Sequence, residues 1–68
     1  MPKMTLKMQR ELYDLQCAAA LLPAYLYPFT CRSIRGIYKT AEDFDSRKEL
    51  QEHIDTLTDL INTTVNSQ

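Results

Sequence analysis

Sixty-eight residues with a mass of 7.9 kDa leave room for one domain and no second. Hydrophobic residues at 44% and charged residues at 25% are ordinary globular usage, and one glycine with three prolines excludes collagen-like and most low-complexity classes. Eight basic against nine acidic residues leave a formal charge of −1, so the chain as a whole is neither a basic nucleic-acid tail nor an acidic disordered one.

The first segment reads as a helix over residues 6–22, continuing to 27 if Pro23 only kinks it. Met4, Met8, Leu12, Leu15, Ala19, Leu22 and Leu26 form a stripe of helical period. Lys7, Arg10, Glu11 and Asp14 fall mostly off it. Thr5 is placed to cap the N-terminus, its hydroxyl accepting from an otherwise unpaired backbone N–H. Pro23 lacks an N–H and disfavours helical geometry at Leu22. Pro28 ends the segment in either case.

The middle, residues 28–45, supports two readings. In the first, Thr30 caps a short helix. Ile34, Ile37 and Tyr38 form its inner face, and Arg32, Arg35 and Lys39 lie outside at spacings of three and four. Gly36 weakens that helix by about 1 kcal/mol relative to alanine. In the second, Tyr25, Tyr27 and Phe29 alternate as in a strand, giving a small hairpin around 25–40. Pro28 would hold such a strand to a sheet edge.

The last segment is a helix over 46–62. Ser46 and Glu49 have the spacing of a capping box, and Phe44 is placed to fold back onto Leu50. Leu50, Ile54, Leu57, Leu60, Ile61 and Val65 share one face, while Glu52, Asp55 and Asp59 share another. Thr63, Thr64 and Val65 are weak helix formers, so fraying is expected after Asn62. Residues 1–4 and 64–68 read as loose termini of a single domain, 1–68. The expected fold is all-α, with two longer antiparallel helices and a short helix or irregular segment between them. The α+β hairpin is the alternative.

The net charge is a sum of unlike halves. Residues 1–40 hold six basic and two acidic residues, a net of +4. Residues 41–68 hold two basic and seven acidic residues, a net of −5. One reading is attraction between the halves, within a monomer or across a dimer. A second is an acidic partner-binding face, since opposed patches steer association and set register. A third is nucleic-acid contact through Arg32, Arg35 and Lys39, weak because three cations release few counterions.

Residues with catalytic chemistry are sparse. His53 is the sole histidine, and Cys17 and Cys31 are the sole thiols. Structural zinc sites use four ligands from paired spacings, which these single residues do not provide. Glu42, Asp43 and Asp45 lack the spacing and turn glycine of a calcium loop. The expectation is therefore no enzyme, no metal and no cofactor. Two cysteines are too few for a disulfide framework and read as free thiols of a reducing cytosol. The run Cys17–Leu22 is too short to cross a bilayer, and the N-terminus lacks a secretory pattern. A cytoplasmic protein with no membrane partner is expected.

Tyr25, Tyr27, Phe29 and Tyr38 are either core or interface, where aromatic residues are enriched. So small a core supplies only about 3–5 kcal/mol, which favours a partner chain. The leading expectation is a regulatory, adaptor or inhibitor protein that binds another protein, itself forming a homo-oligomer. Glu52, Asp55, Asp59 and the four aromatics would carry the contact. A weak nucleic-acid-binding regulator and a structural subunit of a larger assembly are the alternatives.

Overall fold

The structure is a computed structural model that describes residues 3–67. Helix α1 spans Leu6–Ala19, α2 spans Tyr27–Thr40 and α3 spans Arg47–Asn66, with a short 3-10 turn over Ala41–Asp43. Among the described residues there is no strand, so the all-α reading holds and the hairpin does not form.

Thr5 caps α1 as expected, its Oγ1 accepting from Met8 N at 3.1 Å. Met8 returns the contact: its thioether sulfur accepts from Thr5 N at 3.5 Å. The helix stops at Ala19 rather than at Leu22. Leu21 N and Leu22 N bond back three residues, to Ala18 O and Ala19 O, in a tightened last turn. Pro23 then prevents continuation.

α2 begins earlier than the Thr30 cap predicts and matches α1 in length, at 14 residues each. Pro28 lies in its first turn, where a missing N–H costs nothing and the fixed φ suits the helix. Thr30 is therefore a buried residue inside the helix, not its cap. Lys39 in the last turn suits the negative end of the helix dipole.

Ser46 caps α3, its Oγ accepting from Glu49 N at 3.2 Å. The helix runs four residues past Asn62. Thr64 Oγ1 donates to Leu60 O at 2.8 Å, so this weak helix former keeps its hydroxyl satisfied inside the helix.

The helices run up, down, up. Arg47 Nε donates to Lys3 O, Gln51 bonds Glu11, and Ala18 shares a surface hollow with Asn62. Residue numbers thus rise together along α1 and α3, which are parallel rather than antiparallel. The middle segment is a full helix, and that reverses the chain once more between them.

The core is one cluster around Leu12, Leu50 and Ile54, each fully buried, with Met8, Leu15, Ile34, Ile37 and Ile61. Phe44 packs against this cluster, as expected, and its ring also tilts onto His53 at 5.5 Å. At the N-terminal end, Met4 is buried and Lys3 is anchored. Lys3 Nζ donates to Glu42 O at 3.0 Å and to Phe44 O, and its backbone N–H donates to Glu42 Oε1 at 2.9 Å. Of the ends expected to be loose, Lys3 is thus hydrogen-bonded and 64–66 are helical, while Met1, Pro2 and Gln68 lie outside the described residues.

Candidate functional site

α2 borders two hollows of opposite chemistry. On its α3 side, Leu22, Leu26, Phe29 and Thr30 face Leu57, Leu60, Ile61 and Thr64 across a groove of about 100 Å³. No charged side chain lines this groove. Phe29 and Leu60 stand on its rims, each 56% exposed. An apolar cavity of roughly 150 Å³ holds a benzene ring, so this groove accepts one side chain rather than a metabolite.

On its α1 side, Tyr27, Cys31, Ile34, Arg35 and Tyr38 join Gln16 of α1 around a broader cleft of about 490 Å³. No carboxylate lines it. Residues three and four apart are neighbours on a helix surface. Arg32 and Lys39, both exposed, therefore continue the Arg35 row along α2. By the same rule Tyr13 lies one turn from Gln16, and Arg10 one turn from Tyr13. Tyr27 interacts with the Cys31 thiol, chiefly through a side-chain hydrogen bond and then through like charge, which raises its phenol above the ordinary value.

The acidic residues gather elsewhere. Gln51 Nε2 donates to Glu11 Oε2 at 3.2 Å and to Asp55 Oδ1 at 3.0 Å, so one amide holds two carboxylates at the α1–α3 seam. Asp14 borders the hollow shared with Thr58 and Asn62 of α3. Both acids of α1 thus lie on its α3 flank. These carboxylates lie away from the lining of the α1/α2 cleft.

The structure divides the partner site expected from sequence. Phe29 belongs to the apolar groove, Tyr27 and Tyr38 to the polar cleft, and Tyr25 to the exposed connection before α2. Glu52, Asp55 and Asp59 are exposed along α3. Neither hollow has these acids in its lining. Sequence reasoning missed Leu22, Leu26, Leu57 and Ile61 as one lining, because the signal that marks a groove wall is the same apolar period that marks core. The doublet Leu60-Ile61 was the usable clue. It widens the stripe beyond what one neighbouring helix covers.

The thiols and the imidazole are not assembled. Cys17 is exposed, Cys31 faces Tyr27 in the polar cleft, and His53 meets the Phe44 ring at a tilt. Among the described residues no cluster of histidine, cysteine or carboxylate has the arrangement of a metal site. No helix among them is long and apolar enough to cross a membrane. Comparison of the chain with family models, with curated proteins and with solved structures finds no match.

Proposed function

We propose that this chain is a non-enzymatic regulatory or adaptor module that acts by protein–protein binding and associates with itself through the α2/α3 groove. The observation that supports this is the groove itself: an uncharged apolar lining, side-chain-sized, with Phe29 and Leu60 exposed on its rims. Burying one such side chain contributes about 1.5–3 kcal/mol. The groove suits a second copy because its lining carries no charged side chain and its rims offer the apolar side chains that would fill it. Each Phe29 or Leu60 then enters the hollow of the other copy, the self-complementary arrangement of an isologous dimer.

Light scattering over a concentration series tests this. A mass rising from 7.9 kDa toward twice that value supports self-association. Leu60→Glu places a charge in the groove and should hold the mass at the monomer value with helicity unchanged, since Leu60 is more than half exposed. A strict monomer at every concentration overturns the reading.

A further inference from the structure

We propose that the α1/α2 face binds single-stranded nucleic acid, with Arg10, Arg32, Arg35 and Lys39 on phosphates and Tyr13, Tyr27 and Tyr38 stacking on bases. This goes beyond self-association and uses the opposite flank of α2.

The cations come first. α2 contains three basic residues and no acidic one. Arg32 to Lys39 spans seven residues, about 10 Å of helix axis at 1.5 Å per residue. Among the described residues, none of the three is hydrogen-bonded to a carboxylate. Of the carboxylates of α1, Glu11 is held by Gln51 of α3, and Asp14, one turn from Arg10, borders the α3 hollow rather than the α2 cleft. The α2 side of the face is therefore cationic from Arg32 to Lys39, with Glu42 beyond it taken up by Lys3, even though the chain carries −1. Two arginines on α2 suit phosphate, because the guanidinium fork makes paired hydrogen bonds to two oxygens of one group.

The rings come second, and they favour nucleic acid over an acidic protein segment. Tyr13, Tyr27 and Tyr38 are 65%, 42% and 46% exposed. Tyr27 and Tyr38 flank Arg35 across a cleft that Gln16 closes on the α1 side. Cations beside exposed aromatic rings form the usual single-strand platform: charge follows the backbone, and every base offers a face to stack on. An acidic peptide would use the cations and leave the rings in water. A duplex hides its base faces, so it would do the same.

Fluorescence anisotropy of the full chain with labelled oligo(U) and oligo(dT) at low salt tests the proposal. The expected result is micromolar binding that weakens with salt, log K falling with log salt at a slope of about −2 to −3 for three or four phosphate contacts. Arg32→Ala with Arg35→Ala should lower affinity about 10-fold or more and cut that slope by roughly half. Tyr27→Leu with Tyr38→Leu should lower affinity by about 10-fold with the slope unchanged, because stacking releases no counterions. Thr56→Ala, exposed on α3 and lining neither hollow, should bind as the parent does. Tighter binding of oligo(U) identifies RNA as the source of the strand, through its 2′-hydroxyl. Equal binding identifies phosphate and base alone, and both results support the proposal. Three results overturn it: no anisotropy change at low salt, full binding by the tyrosine variant, or competition by polyglutamate at equal charge. The last would assign the face to an acidic protein instead.

Discussion

The two flanks of α2 differ in the chemistry of their linings, although they share one backbone of 14 residues. The α3 flank presents Phe29 and Thr30 to an uncharged groove. The α1 flank presents Tyr27, Arg35 and Tyr38 to a polar cleft. An apolar surface gains by leaving water at contact, while a charged one acts over roughly a Debye length and fades with salt. If both proposed contacts form, ionic strength should move one and leave the other. It also follows that substitutions on one flank should spare the other, unless they reach the core beneath both.

The largest effect should come from that core. Leu12 is fully buried in the cluster that supports all three helices. Leu12→Ala should cost about 2–5 kcal/mol. That is of the order of the whole stability of a core this small, about 3–5 kcal/mol. Urea unfolding followed by circular dichroism should show the midpoint collapse, with both proposed binding activities lost together. A variant that keeps one activity and loses the other would mean that the flanks do not share a foundation.

A smaller effect, and a gain, should follow at Gly36. A Cβ built there meets nothing within 4 Å. Gly36→Ala removes helix-interior glycine and should stabilise by up to about 1 kcal/mol, raising the thermal midpoint without changing either flank. A lowered midpoint would show that another surface closes on α2 at that point.

The smallest effect belongs to the α1 flank alone. Contact with Cys31 raises the Tyr27 phenol, so the folded chain holds this proton to higher pH than the unfolded chain does. The sign follows from linkage: the contribution favours the fold below the ordinary tyrosine value near 10 and is lost as pH rises through the raised folded value. Cys31→Ala should lower the phenolate titration seen by ultraviolet absorbance toward the ordinary value. A titration that does not move would place the two side chains apart.

Much of the fold was legible in the residues, for identifiable reasons. The stripe is buried from Met4 through Leu22 and only partly buried at its last predicted position, Leu26, because a helix facing two neighbours needs a continuous apolar band and Leu26 lies beyond its end. Thr5 and Ser46 cap as expected, because a hydroxyl one residue before a helix has a local partner whatever the tertiary structure does. Pro28 misled because proline has two meanings, terminator inside a helix and initiator at its first turn. The direction of α3 relative to α1 was illegible without knowing that residues 27–40 form a full helix, since one added reversal turns an antiparallel pair into a parallel one. The flanks of α2 were half legible. Arg32, Arg35 and Lys39 were read as one row, but the rings could be assigned to a flank only once α1 was seen to supply Gln16 beside Tyr27 and Tyr38.

The parallel course of α1 and α3 has a mechanical consequence. Lys3 lies beside Arg47 at the start of α3, while Ser67 caps its far end, in a bundle 39 Å along its long axis. The described ends of the chain are therefore at opposite poles. Tension applied through them slides α1 and α3 past each other along their lengths. All contacts of that seam, including the amide clamp of Gln51 on Glu11, are loaded at once rather than peeled one by one. A chain pulled this way resists as a lap joint, whereas the expected antiparallel pair would have opened like a zip.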